Sequence, residues 1–132
     1  MAHEICFSEI ILYVDNQGIS TLFYQQILRM NPSLKAPGMT EFTISDGLKL
    51  GLMPTNGIAK ILGNTMSHPN KGAGIPRCEL YFYVDDIEFE FENALICGAK
   101  LVSPIEERNW GDKVCYFADP DGHVIAFAKK IN

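Results

Sequence analysis

No run of about 18 apolar residues occurs in this chain, so nothing in it reads as a membrane-spanning helix. Basic residues are few and scattered: 11 Lys and Arg stand against 16 Asp and Glu, a net charge of −5. Without a basic cluster, neither nucleic acid nor an anionic membrane is expected as a partner. The first residues lack a basic segment followed by an apolar one, so no signal peptide is expected. Cys6, Cys78, Cys97 and Cys115 show no CxxC spacing and lie in apolar surroundings. Reduced, partly buried thiols in a cytoplasmic protein are therefore expected in preference to a disulfide or a zinc site. Trp110 is the single tryptophan, and His3, His68 and His123 are the only histidines. At 132 residues the chain fits one domain, since two independent domains of about 65 residues would each have a thin core.

What is present is one pattern written twice. Glu9-Ile10-Ile11-Leu12-Tyr13-Val14-Asp15 returns as Glu79-Leu80-Tyr81-Phe82-Tyr83-Val84-Asp85, with Glu, Tyr, Val and Asp identical. Asp46-Gly47-Leu48-Lys49-Leu50-Gly51-Leu52 returns as Asp121-Gly122-His123-Val124-Ile125-Ala126-Phe127. Two echoes in the same order at nearly equal offsets mark a duplicated module. Module one spans 5–54, a linker 55–77 and module two 78–130.

Module one reads β-α-β-β, with a short extra strand near 33–36 completing β-α-β-β-β, and module two repeats the plan. Residues 5–14 alternate, with Ile10, Leu12 and Val14 on a dry face and Glu9, Ile11 and Tyr13 on the other. Asp15-Asn16 opens a helix whose apolar stripe is Ile19, Leu22, Phe23, Ile27 and Met30, ending before Pro32. Strands follow over 39–45 and 48–53 around an Asp46-Gly47 turn. The linker carries four glycines and two prolines around a short apolar helix at 58–62; it reads equally as a functional loop and as a plain connection. In module two, strand 78–84 precedes a helix capped by Asp85-Asp86, whose stripe is Ile87, Phe91, Ala94, Leu95 and Cys97 and which Gly98 ends. Strands at 100–105, 113–118 and 124–129 are separated by the Asn109-Trp110-Gly111-Asp112 and Asp119-Pro120-Asp121-Gly122 turns.

The Trp110-Gly111-Asp112 turn, the strand Val114-Cys115-Tyr116-Phe117 and the Asp119-Pro120-Asp121-Gly122-His123 segment, on a duplicated plan, resemble the glyoxalase/bleomycin-resistance/extradiol-dioxygenase group, the vicinal oxygen chelate superfamily. The resemblance runs from Ser8 to Lys129. It implies an α+β fold in which two βαβββ modules pair into an open, eight-stranded, barrel-like sheet around a central cleft, commonly in a homodimer. Metal-using members hold a divalent ion with one side chain from the first and one from the last strand of each module. Those positions fall on Glu9 and Gly51, and on Glu79 and Ala126.

Gly51 and Ala126 have no donor, so the metal set is incomplete: Glu9 and Glu79 are partial positions only, and no cofactor is expected, with a loosely held divalent metal as the exception. His123, three residues from Ala126, would point to the opposite face and reads as a turn histidine bonded to backbone or solvent. His68 reaches a cleft only if the linker folds over it, and His3 lies near the N-terminus. If Glu9 and Glu79 converge at about 6 Å, their repulsion is about 3 kcal/mol, about two pKa units. A shared proton, Lys49, a loose cation or a positively charged ligand would relieve it; alternatively each acid pairs with a base such as Arg77 or Lys113. Tyr13, Lys49, Met53, Tyr81, Tyr83, Trp110 and Tyr116 complete the candidate ligand contacts. Trp110 and Tyr116 also read as packing anchors. The expected function is small-molecule binding with Glu9 and Glu79 as anchors. The alternatives are a metal-dependent lyase or isomerase similar to lactoylglutathione lyase, in which these glutamates are catalytic, and an interaction module with a vestigial cleft.

Overall fold

In the computed structural model, which describes residues 4–132, the chain falls into two compact units that divide between Lys71 and Gly72. The first carries β1 (Ser8–Val14), α1 (Gln17–Leu28), β2 (Leu34–Ala36), β3 (Met39–Ser45), β4 (Leu48–Pro54) and α2 (Thr55–Leu62). The second carries β5 (Glu79–Tyr83), α3 (Ile87–Ile96), β6 (Lys100–Glu107), β7 (Asp112–Ala118) and β8 (Val124–Lys130). A 3-10 turn, Pro69–Gly72, lies where the units divide. The α+β class and the doubled β-α-β-β-β plan are both present.

Each unit folds into a four-stranded sheet with the same order, β1-β4-β3-β2 and β5-β8-β7-β6. First and last strands pair in parallel, β1 with β4 and β5 with β8, and the remaining pairs are antiparallel. A parallel pair cannot be closed by a tight turn, so the helix between them is a topological necessity. Asn16 caps α1 by accepting from the Ile19 N–H at 2.9 Å, and Asp86 caps α3 by accepting from the Phe89 N–H at 3.0 Å.

In the first unit α1 covers the face that bears Leu12, Phe42, Leu50 and Leu52, all at most 2% exposed. The apolar stripe differs from the expected one. Ile19 and Leu22 are more than half exposed, while Ser20, Thr21, Phe23, Tyr24 and Ile27 are buried. Polar anchoring sets this rotation. Thr21 Oγ1 and Thr40 Oγ1 share a buried hydrogen bond of 2.8 Å, and Gln17 Nε2 donates to Ala36 O and Thr40 Oγ1. Ile10, at the end of the dry row, is also exposed. In the second unit α3 packs on Phe117 through Phe91, over a core of Ile87, Ala94, Cys115, Ile125 and Phe127. Leu95 and Ile96 are exposed. Cys115 is buried and Cys97 half-buried, but Cys6 and Cys78 are exposed, contrary to expectation.

The Asp-Gly pairs equated by the repeat supply an internal comparison. Gly47 and Gly122 both have positive φ, +83° and +88°. A Cβ at Gly47 would meet open space; one at Gly122 would press on the Gly74 backbone at 2.9 Å. There the Gly74 N–H donates to Asp121 O. Gly47→Ala is expected to cost about 1 kcal/mol and Gly122→Ala about 3 kcal/mol or more, by urea denaturation. Equal losses would mean that the Gly74 segment yields without resistance.

Candidate functional site

The face of the first sheet opposite α1 is set by register. Glu9 lies beside Lys49, Ile11 beside Gly51 and Tyr13 beside Met53, while β3 places Glu41 opposite Gly51. Lys49 Nζ donates to Glu41 Oε1 at 3.3 Å, not to Glu9 as a direct counter-charge would require. The Glu9 side chain folds over Gly51: an added Cβ there would collide with Glu9 Oε2. That oxygen is buried and accepts no hydrogen bond. Burial, the hydrogen bond with Glu41 and the Glu41 charge push the Glu9 carboxyl above its usual range, with Lys49 opposing. The Glu9 carboxyl, raised in pKa, thus lies beside Glu41, whose Oε1 accepts from Lys49. Glu41 was not among the candidates, although continuing the alternation Met39, Glu41, Thr43 places it on this face.

The helix-free face of the second sheet is built differently. Val114, Ala126 and Ala128 form its buried floor, with Tyr81 and Tyr116 packed on them. At one end Asp112, 1% exposed, accepts from the Tyr81 and Tyr83 hydroxyls at 2.7 Å each. Trp110 Nε1 donates in turn to Tyr81 Oη at 2.9 Å. The two phenol bonds hold the Asp112 carboxyl below its usual range against the effect of burial, with a further contribution from Lys130. Tyr81 is pushed up to about 12, chiefly by burial. Asp112 was expected to belong to a turn; it is the first residue of β7 and the polar centre of this face. Tyr116 lies under the Arg108 guanidinium, 5.5 Å from its centroid. Burial and the Glu79 charge raise its pKa, with Arg108 opposing.

Glu79 is exposed at the start of β5, opposite Val124. The expected basic partners are engaged elsewhere: Lys113 Nζ lies 3.8 Å from Glu88, and Arg77 bonds to Ile75 O, Asp121 O and His123. His123 is not solvated. It is 3% exposed, with Nδ1 donating to Asp119 Oδ2 at 2.9 Å and Nε2 facing Arg77 at 3.4 Å. Asp119 Oδ1 accepts the N–H groups of Asp121 and His123 at 2.8 Å each. His68 bonds to Asn56 within the first unit, and His3 lies outside the described residues.

Two donor sets bear on a divalent metal. At the positions that the resemblance equates with ligands, Glu9 and Glu79 carry carboxyl groups, but Gly51 and Ala126 contribute no donor, and Glu9 Oε2 is turned onto Gly51. Asp119, Asp121 and His123 bring potential ligand atoms within 4.8 Å of one another. There the Asp119 oxygens already accept three N–H groups, and a guanidinium faces the remaining imidazole nitrogen. Neither set fits a divalent cation, which needs several free donors directed at one point.

A raised Glu9 pKa stabilises the fold fully below the ordinary value of 4.5, and that contribution is lost as pH rises through the raised value. Glu9→Gln mimics the protonated acid. It should therefore leave Tm nearly unchanged at about pH 4 and raise it at about pH 8; a Tm gain of equal size at both would exclude the raised Glu9 pKa.

Residues 7–132 match the family described as the glyoxalase-like domain. Uncharacterised proteins of Mycobacterium bovis and Mycobacterium tuberculosis are 27% identical over 115 residues, 85% of this chain, and 75% and 67% of their own lengths are covered. A glyoxalase-related enzyme from Fulvimarina pelagi superposes with a TM-score of 0.78 at 20% identity, covering 93% of this chain and 86% of that one. A glyoxalase/bleomycin resistance protein/dioxygenase from Nocardioides does so with a TM-score of 0.79 at 17% identity, covering 100% and 87%. The doubled module and the family match over nearly the whole length lead to one assignment: this chain is a glyoxalase-like domain of the vicinal oxygen chelate superfamily.

Proposed function

We propose that this chain binds a small molecule through the faces of its sheets opposite α1 and α3, as a glyoxalase/bleomycin-resistance-type protein that acts without a protein-supplied metal. The observation that carries this reading is the chemistry of the four family positions. Two are carboxyl groups, and two, Gly51 and Ala126, have no donor. What surrounds them suits an organic ligand. Tyr13 and Met53 flank the Glu9 side of the first sheet, and Tyr81, Tyr83, Trp110 and Tyr116 supply rings and hydroxyls in the second. Aromatic surface with a few fixed polar groups is the common composition of such sites. Glu79 offers an exposed carboxyl on the second sheet, which a ligand bearing an amine complements. A cytoplasmic homodimer is part of the same proposal.

A metal-dependent lyase is the competing reading. It is favoured by the raised pKa of Glu9, the direction that suits a carboxyl group moving a proton. Titration of chelator-stripped protein with nickel, zinc, cobalt and manganese separates the two. No micromolar binding is expected. Micromolar affinity lost in both Glu9→Gln and Glu79→Gln would establish the lyase-type site instead. Native mass spectrometry against cationic drugs and thiol conjugates is expected to detect a bound organic ligand.

A further inference from the structure

The second sheet buries a carboxylate that is only half satisfied. Asp112 Oδ2 accepts from Tyr81 and Tyr83, whereas Oδ1, equally enclosed, accepts no hydrogen bond. The ammonium beside it is Lys130 Nζ, 3.9 Å from Oδ1 and therefore too far to donate to it. That ammonium also stands 4.7 Å from the centroid of the Tyr83 ring. A cation held between an aromatic face and a carboxylate is a recognised way to bind an amine.

The walls and the occupant differ in freedom. Trp110 is tied to Tyr81, Tyr81 and Tyr83 are tied to Asp112, and the two tyrosine rings meet edge to face at 5.4 Å. Lys130 is the last residue of β8 and its side chain is 72% exposed. Tyr83 and Trp110 are 55% and 57% exposed, so the ring faces are reachable from solvent.

We propose that Asp112, Tyr83 and Trp110 form an alkylammonium-binding subsite, filled by the Lys130 side chain in the free protein and vacated to a ligand's primary amine. The proposal rests on the small-molecule-binding reading above and names where the amine goes. The geometry selects among cations. A divalent metal needs several oxygen donors, and one carboxylate oxygen is on offer. A guanidinium prefers two parallel bonds to one carboxylate, and Oδ2 is already taken by two phenols. A diffusible primary ammonium needs one acceptor and a ring face. It can reach the 2.7–3.2 Å that the Lys130 ammonium does not. The tethered ammonium competes at an effective concentration on the order of millimolar, so removing it unmasks the site.

Trp110, the only tryptophan, reports directly on this subsite through its fluorescence. The probe is n-butylammonium chloride, with n-pentanol as its neutral isostere and ionic strength held constant with sodium chloride. Lys130→Met is compared with Lys129→Met, which removes the same charge from a side chain whose ammonium donates to Asp85 O at 2.6 Å instead. Expected is a saturable response that Lys130→Met tightens about 10-fold and Lys129→Met less than about 2-fold, with n-pentanol giving none. Asp112→Asn should abolish it; because that variant also disturbs two phenol bonds, the lysine pair decides. Equal effects of the two lysine variants, a matching response to n-pentanol, or no saturable response in Lys130→Met would overturn the subsite. If compounds from the ligand panel still bind, the subsite alone is lost; if nothing binds, the small-molecule reading falls with it.

Discussion

Parallel pairing of the first strand with the last is the constraint on which each half of this chain depends. It forces a crossover helix onto one face of the sheet, because parallel neighbours cannot be joined by a tight turn. That helix dries one parity of residues, Leu12, Leu50 and Leu52 in the first half and Ile125 and Phe127 in the second. The other parity is left to carry the chemistry. Glu9, Lys49 and Gly51 share the face opposite α1 for this reason alone, and Tyr81, Ala126 and Tyr116 the face opposite α3 in the second unit. The glyoxalase-like family match extends over both halves.

The two halves solve one electrostatic problem in opposite ways. A carboxyl group on a dry face must be neutralised or given donors, since a bare charge there is costly. In the first half burial and the neighbouring Glu41 raise the Glu9 pKa, which favours the neutral acid. In the second Asp112 takes the charged route, with its pKa lowered by two phenols. Starting from one repeated pattern, the modules have arrived at a close pair of acids, Glu9 and Glu41, and at a carboxylate bonded by two phenols. In the second, the unpartnered Asp112 Oδ1 lies on the face that carries Tyr81 and Tyr83.

Much of this was legible in the chain itself. The echo of Glu9–Asp15 in residues 79–85 and of 46–52 in 121–127 announced the two modules, and alternation assigned Glu9, Tyr13, Lys49 and Met53 to one face. The absence of donors at Gly51 and Ala126 was likewise plain. Less visible was anything decided by side chains across strands. Glu41 owes its role to its register with Gly51, and Asp112 to phenols some thirty residues earlier in the chain. The rotation of α1 was misread because polar contacts from Gln17 and Thr21 to Thr40 outweigh the exposure of Ile19 and Leu22. His123 was read as a turn histidine bonded to backbone or solvent, whereas its burial against Asp119 is a tertiary fact with no local signature.

Gly51 does more than omit a ligand. The volume that a side chain would occupy there is filled by the tip of Glu9, so a fourth-strand donor and the present acid pair are sterically exclusive. To rebuild a chelating position at residue 51, Glu9 would first have to swing away and forfeit its neighbour on β3. Loss of the donor at residue 51 and the seating of Glu9 over it are therefore a single structural commitment, and a reversal must change both strands together.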